Sequence, residues 1–346
     1  MARFSLGRSL FISKFFWLAI NISFFNGAAA HLKRNTSQNN RTATTLTHLT
    51  PAQRDFDSFN LDGALYNPSR TYISLSSLPS SCSVNQKLGE RCLTEMRAVN
   101  VTYDDCSDAW TLCHCSSANI TLEDSMSRLG KVPVGLRKFI GTTLVFPAEE
   151  AHAYTLTNGD IYFFGELDTD SWIHEASHAY DYAFGDPVSG RQDWLDAIGN
   201  DTCATDVYGM TNEAEEFAQS SILKIFSLIY GSLPPGWNAS SMSHQQKFLD
   251  SLPLYDKNTL FADTCATISD ATHQDSQIAA VRPIKSNGPL PNPNAPLRID
   301  PSADPIVSLI DRVPQSIASD PSERNSALSS GKSWLFGSIS FVILIL

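Results

Sequence analysis

The pattern His-Glu-x-x-His, formed by His174, Glu175 and His178, constrains the chain more than any other stretch. In a helix, side chains four residues apart share a face, so the two imidazoles can bind one metal ion. Glu175 would lie beside that ion without binding it, where its carboxylate can take a proton from water. Capping groups at Asp168 and a stop at Gly185 support a helix. The pattern therefore predicts a helical zinc site with Glu175 as general base.

A second predicted helix is expected to supply the third zinc ligand. It is capped by Thr211 or Asn212 and ends at Gly231. A catalytic zinc ion needs three protein ligands and an open position. Three acidic residues at the start of this helix compete for the role: Glu213, Glu215 and Glu216.

Helical periodicity favours Glu215 among these three residues. Glu213 and Glu216 share a face with Ser220 and Lys224, which we interpret as the solvated side. The face of Glu215 carries three apolar residues, Ala218, Ile222 and Phe226. A carboxylate on such a buried stripe is costly unless it binds a partner or a metal. Gln219, one turn further on, is predicted to orient Glu215 or His174 from outside the ligand set.

The segment from Tyr208 to Ala218 resembles a segment of the anthrax lethal factor group of zinc peptidases. It reads Tyr-Gly-Met-Thr-Asn-Glu-Ala-Glu-Glu-Phe-Ala. The resemblance covers about residues 161–226, implies the same ligands and general base, and adds Tyr208 as a donor to the oxyanion. The group usually has glutamate where this chain has Gln219.

Two further resemblances bear on the assignment. In the aspzincin peptidases the third ligand is an aspartate shortly before a Tyr-Gly pair, which makes Asp206 the rival to Glu215, although its spacing to Tyr208 is one residue shorter here. Over a wider span, including residues 132–137, the chain is similar to secreted fungal proteins of the conidiation-specific, peptidase type. That similarity implies a fungal source and a zincin-like fold.

Both ends of the chain carry the features of processing signals. Residues 1–30 have a basic start, an apolar run and three alanines, which predicts a secretory signal peptide. Residues 326–346 end in a hydrophobic tail of twelve residues, too short to span a bilayer. They predict a glycosylphosphatidylinositol (GPI) signal, with Asn325 as the attachment point and Ser326 as the alternative. The protein is therefore expected on the extracellular face of the plasma membrane or in the cell wall.

Sequons and cysteines agree with secretion. The Asn-x-Ser/Thr sequons begin at Asn35, Asn40, Asn100, Asn119, Asn200 and Asn238. In an oxidising compartment, the seven cysteines predict a bond between Cys203 and Cys265, two more within the earlier cluster, and one free thiol. Cys113-His114-Cys115 is a less favoured alternative metal site.

Composition divides the chain and limits its partners. Residues 31–55 predict a mobile glycosylated arm, residues 56–275 one folded domain, and residues 276–325 an extended Pro/Ser-rich stalk. The net charge of −11 and the pI near 5.1 argue against nucleic acid as a partner.

The expected fold is α+β: a disulfide-stapled, zincin-like metallopeptidase domain with a small mixed sheet, an active-site helix and a third-ligand helix. Leu144 to Phe146 and Ile161 to Phe164 are predicted strands, the second offering an edge for an extended peptide. The leading hypothesis is a GPI-anchored zinc endopeptidase at the cell surface. The competing one is a non-catalytic zinc-binding or wall-associated glycoprotein.

Overall fold

The computed structural model describes residues 45–52, 59–84, 92–262 and 297–305. The predicted signal peptide and GPI segment lie outside these ranges, together with Asn35, Asn40, Cys265 and Asn325. In the described ranges, no helix combines the length and the apolar character that a membrane span requires.

A mixed six-stranded sheet forms the centre of an α and β fold, with strand order β2-β3-β4-β5-β7-β6. Its strands are β2 (Arg70–Ser74), β3 (Met96–Tyr103), β4 (Cys106–Cys115), β5 (Thr143–Phe146), β6 (His152–Thr155) and β7 (Ile161–Phe164). A separate parallel pair joins β1 (Thr50–Pro51) and β8 (Cys203–Ala204). In the large sheet, β4, β5 and β7 run parallel, and the remaining neighbours are antiparallel.

Eight α-helices lie in the described residues. They are α1 (Ser80–Val84), α2 (Leu122–Lys131), α3 (Val134–Arg137), α4 (Thr169–Asp181), α5 (Gln192–Asn200), α6 (Glu213–Tyr230), α7 (Ser243–Ser251) and α8 (Lys257–Leu260). Short 3-10 turns occur at Val188–Gly190, Gly209–Thr211, Ala239–Met242 and Pro253–Tyr255. Helices α4 and α6 contain the predicted metal-binding residues.

Helix α4 begins where the sequence predicts it. The Asp168 carboxylate accepts from the Ser171 backbone N–H at 3.1 Å, which caps the helix. Trp172 stacks on Phe163 of β7 with ring centroids 3.8 Å apart, so the helix is packed firmly against the sheet. Helix α6 is capped by Asn212 and ends at Gly231, whose φ of 81° suits glycine.

The predicted strands at 144–146 and 161–164 are confirmed, but the edge was assigned to the wrong strand. β7 lies inside the sheet between β5 and β6, and β6 is the edge strand. β6 was missed because it is four residues long and mostly polar, without a clear alternation. The candidate peptide-binding edge is therefore His152–Thr155.

The described structure continues past both predicted boundaries of the folded domain. The segment 45–52, assigned to a mobile arm, pairs with β8 and buries Leu46 and Leu49. The segment 297–305, assigned to an extended stalk, pairs Ile299 with Leu65. Both segments are ordered by contacts with distant parts of the chain, which composition alone does not reveal.

Two disulfides form within the earlier cysteine cluster as predicted, but the predicted bond at Cys203 does not form. Disulfides join Cys82 to Cys113 and Cys92 to Cys115. Both outer residues of Cys113-His114-Cys115 are thereby used, and His114 Nε2 lies 2.9 Å from the Ile120 carbonyl oxygen, so this motif is not a metal site. Cys106 is also disulfide-bonded, whereas Cys203 has a free thiol. The predicted bond from Cys203 to Cys265 is therefore wrong.

Candidate metal centre

Three side chains from two helices converge on one point. His174 Nε2 and His178 Nε2 lie 3.1 Å and 3.2 Å from the same oxygen, Glu215 Oε2. The two Nε2 atoms are 3.0 Å apart. The histidines come from successive turns of α4, and Glu215 comes from the first turn of α6. This is the one such group of His, Cys, Asp and Glu side chains among the described residues.

The spacing and chemistry of these atoms fit a zinc ion. Ligand atoms bound tetrahedrally at about 2.0–2.2 Å from zinc lie about 3.3–3.6 Å apart. The observed separations of 3.0–3.2 Å are a few tenths of an ångström shorter. Two imidazole nitrogens and one carboxylate oxygen are a donor set that suits zinc. We conclude that His174, His178 and Glu215 fit the metal predicted from the sequence.

The charges of the three groups are coupled. Burial alone would lower the pKa of His178, but the hydrogen bond and charge of Glu215 raise it to about 9. Burial alone would raise the pKa of Glu215, but hydrogen bonds with the two imidazoles hold it well below its ordinary value. A proton and a cation would therefore compete for the same atoms, so metal binding should weaken in acid.

Glu175 lies beside the three ligands but is not one of them. Its Oε2 accepts a hydrogen bond of 2.6 Å from the hydroxyl of Thr155, at the end of edge strand β6. The same hydroxyl lies 2.9 Å from the Glu175 carbonyl oxygen. Sequence reasoning missed Thr155 because nothing in a single threonine indicates which side chain it will contact. The sheet edge thus holds the predicted general base in position.

An open cleft of about 410 Å³ gives access to this centre. One wall is the edge segment Ala151 to Ala153, and another contains His174 and Glu175. Tyr208 is 53% exposed and lies over the site, its ring centroid 5.7 Å from that of His174. Partial burial and the carboxylates of Glu215 and Glu175 raise the pKa of Tyr208, so its hydroxyl keeps its proton at neutral pH.

The two remaining candidates, Gln219 and Asp206, lie behind His174. Gln219 Oε1 is 2.9 Å from His174 Nδ1, so the amide contacts the histidine on the side away from Glu215. Asp206 contacts Gln219 and does not belong to the three-residue group. The structure therefore places Glu215, and not the rival Asp206, with the two histidines.

The expected solvated face of α6 is not solvated. Glu216, Ser220 and Lys224 are all buried. Glu216 accepts hydrogen bonds from the backbone N–H and the hydroxyl of Thr205 at 2.9 Å and 2.6 Å. Burial raises the pKa of Glu216 to about 8. Periodicity could not reveal this, because the groups that cover this face are themselves polar: Thr205 contacts Glu216, Gln245 contacts Ser220 and Asp250 contacts Lys224.

Four predicted glycosylation sites lie in the described residues. Asn119, Asn200 and Asn238 are exposed, and Asn100 on β3 is half-buried. The Asn100 side chain accepts a hydrogen bond of 3.0 Å from Thr111. Glycosylation itself stays a prediction at all of these positions.

Comparison with known proteins assigns the chain to a family, and the names of the matching family and relative state no activity. Residues 59–275, more than half of the chain, match the family described as conidiation-specific protein Con-13. Conidiation-specific protein 13 of Neurospora crassa is 29% identical over 136 residues, which cover 37% of this chain and 40% of that protein. The matched part thus spans less than half of that relative. No solved structure matches the chain.

The family predicted from the Tyr208 to Ala218 segment is wrong. The matching family is Con-13, and neither match is to zinc peptidases of the lethal factor group. The resemblance depended on one short segment and the His-Glu-x-x-His pattern, whereas the Con-13 match covers nearly the whole described domain. The geometry of His174, His178 and Glu215 does not depend on that family assignment.

Proposed function

The chain belongs to the Con-13 family, and we propose that this member is a zinc-dependent endopeptidase. The observation that carries the proposal is the convergence of His174 Nε2, His178 Nε2 and Glu215 Oε2 to within 3.0–3.2 Å, beside a carboxylate in an open cleft. Metal capture alone would not require Glu175. The zincin-like arrangement expected from the sequence is part of this proposal.

Different residues of the chain would have separate roles in peptide hydrolysis. His174, His178 and Glu215 would hold the zinc ion, which would supply the Lewis acidity that lowers the pKa of water and polarises a carbonyl group. Glu175 takes a proton from the attacking water as the new carbon–oxygen bond forms. It then delivers that proton to the amine nitrogen as the carbon–nitrogen bond breaks. The Tyr208 hydroxyl donates a hydrogen bond to the developing oxyanion.

Edge strand β6 supports a peptide as the substrate. An extended chain can add to a free sheet edge through main-chain hydrogen bonds. β6 is the terminal strand beside the cleft, and Ala151 to Ala153 line it. A peptide lying along this edge would pass directly over His174 and Glu175. Its sequence preference would be set by side chains further along the cleft.

The first experiment compares two glutamates in the same turn of α6. Purified protein is assayed for zinc by elemental analysis as wild type, Glu215→Ala and the matched control Glu213→Ala. We expect one zinc per chain in the wild type and in Glu213→Ala, and none in Glu215→Ala. A wild type that stays free of zinc when offered it would refute the metal centre.

A second experiment separates the peptidase from the competing zinc-binding glycoprotein. Glu175→Gln should keep its zinc and lose hydrolysis of a mixed fluorogenic peptide library. Wild-type protein that binds zinc but cleaves nothing in the library would favour the non-catalytic function. A Glu175→Gln variant that cleaves at the wild-type rate would refute Glu175 as the base.

We also propose that the protein is secreted and held at the cell surface by a GPI anchor. The two disulfides support an oxidising compartment, and three of the sequons are exposed. Release of the protein from intact cells by a phosphatidylinositol-specific phospholipase is the direct test. Protein that stays membrane-bound after the cell wall has been digested and the lipase treatment is complete would contradict the anchor.

A further inference from the structure

A chain of hydrogen bonds leads from the candidate metal centre to Asp206, a half-buried residue in the wall of the cleft. His174 Nδ1 lies 2.9 Å from Gln219 Oε1, and Gln219 Nε2 donates to Asp206 Oδ2 at 2.6 Å. The other carboxylate oxygen, Asp206 Oδ1, accepts from the Gly209 backbone N–H at 2.6 Å. Gln219 is buried and Asp206 is half-buried, so breaking the bond between them would leave a buried amide without a partner. The chain ends on a donor whose direction the backbone fixes.

The direction of this chain follows from what each group can do. Both Asp206 carboxyl oxygens accept hydrogen bonds, one from the Gly209 backbone N–H and one from Gln219 Nε2, so Asp206 receives the NH₂ side of the Gln219 amide. The amide oxygen then faces His174 Nδ1, which must be the protonated nitrogen. The lone pair of His174 is thereby left on Nε2, the atom that lies 3.1 Å from Glu215 Oε2.

We infer that Asp206 is a positioning residue: it sets the direction of the Gln219 amide and, through it, the tautomer of His174 that binds metal. This inference depends on the proposed metal centre. With the amide reversed, its NH₂ group would face His174 Nδ1, and the proton would move to Nε2. Metal binding at that nitrogen would then require a tautomer change and the loss of a buried hydrogen bond.

The position of Asp206 is itself fixed from helix α6. Glu216 accepts from the backbone N–H and hydroxyl of Thr205, the residue before Asp206. A Cβ atom at Gly209 would collide with the Glu216 carboxylate and the Thr205 hydroxyl. Glu216 and Gln219, one turn apart on α6, thus hold the Thr205 to Gly209 loop at two points. No equivalent chain of hydrogen bonds orients His178, because its Nδ1 has no hydrogen-bond partner in the described residues.

An isosteric substitution tests the direction of the chain. In Asp206→Asn the one remaining side-chain oxygen accepts from the Gly209 N–H, so the new NH₂ group faces Gln219. Gln219 must then turn its amide oxygen toward Asn at position 206 and its NH₂ group toward His174. Zinc affinity, measured by competition with a fluorescent chelator on the purified protein, should fall about 10- to 100-fold. In the double variant Asp206→Asn/Gln219→Glu, the carboxylate at position 219 accepts from both neighbours. Affinity should return to within about threefold of the wild type.

A matched control separates this role from a general structural one. Like Asp206, Asp201 accepts hydrogen bonds from the backbone, from the N–H groups of His244 and Gln245, but it is buried and does not touch Gln219. Asp201→Asn should leave zinc affinity unchanged even where it lowers the unfolding midpoint. Each variant is first checked for folding by circular dichroism and thermal unfolding without metal.

The possible outcomes separate the role of Asp206 from the existence of the metal centre. A wild type that binds no zinc overturns the metal centre, and the role of Asp206 with it. A wild type that binds zinc, with a folded Asp206→Asn of equal affinity, overturns the role of Asp206 alone. The role of Asp206 is also overturned if zinc affinity is low in Asp206→Asn and equally low in the double variant, because the carboxylate at position 219 would then not have restored binding.

Discussion

The two faces of the six-stranded sheet are stabilised by different interactions. On the face toward α4, apolar side chains such as Val145, Ile161 and Phe163 pack against helices, with Trp172 stacked on Phe163. On the opposite face, Phe146, Tyr162 and Phe164 form a smaller core. Aromatic stacking and the two disulfides hold that smaller core together.

The difference explains where the candidate metal centre lies. Helices packed on a sheet bring side chains from separate elements, such as His174 and Glu215, to within about 3 Å and hold them there. The opposite face has one short described helix, α1, and is otherwise covered by connecting segments, so covalent links replace packing. The candidate metal centre therefore lies on the helical face, and the two described disulfides lie on the other.

The largest test uses two neighbouring residues of β7 that point to opposite faces. Phe163→Ala removes the partner of Trp172, and Phe164→Ala removes a ring from the smaller core. Each should lower the free energy of unfolding by about 3–5 kcal/mol, with Phe164 at the lower end. Denaturant titration measures this loss. Zinc affinity should fall only in Phe163→Ala, because Trp172 anchors α4 two residues before His174; equal losses of affinity would contradict the division between the faces.

A smaller effect is expected from removing a disulfide. Cys82→Ala/Cys113→Ala opens a link between residues 31 positions apart and should cost about 2–4 kcal/mol of unfolding free energy. The zinc content of the folded variant should stay at that of the wild type. Cys203→Ala, which removes a free thiol, is the matched control and should change stability little. Loss of zinc from the folded double variant would show that the two faces are coupled.

The smallest test concerns β6, which contributes to both faces. Tyr154 stacks on Tyr162 with centroids 4.7 Å apart, and the next residue, Thr155, donates to Glu175. Thr155→Val keeps the shape but removes the hydroxyl, so kcat for a cleaved peptide should fall about tenfold, or about 1.4 kcal/mol, with KM and zinc content unchanged. Thr155→Ser should keep most of the activity. A Thr155→Val variant with the wild-type kcat would show that the sheet edge does not position the base.

The sequence was most informative where chemistry and helical spacing act together. Two histidines four residues apart on α4 and a carboxylate on α6 predicted the three converging atoms, although the solvated face used to exclude Glu216 is not solvated. Glu216 lies on the face interpreted as solvated, yet it is buried against Thr205. Residue type alone could not show this, because the loop that covers Glu216 is ordered by the same polar contacts that satisfy it.

The parts that the sequence did not predict depend on tertiary contacts. Edge strand β6 has too few residues for a periodic signal, and the role of Thr155 follows from where that strand docks. Asp206 was considered as a ligand, but the structure places it behind Gln219. Its distance from the metal centre is set by the packing of a loop against α6, which spacing along the chain does not encode.

The segment 297–305 has a consequence for how the protein is divided. The Con-13 match ends at residue 275, but Tyr66 N–H donates to the Arg298 carbonyl, and Asn60 N–H donates to the Pro305 carbonyl. A recombinant protein cut at the family boundary would leave those donors and the flank of Leu65 open to solvent and to other chains. The unit that folds is thus larger than the unit that sequence similarity defines, and soluble expression should require residues through 305.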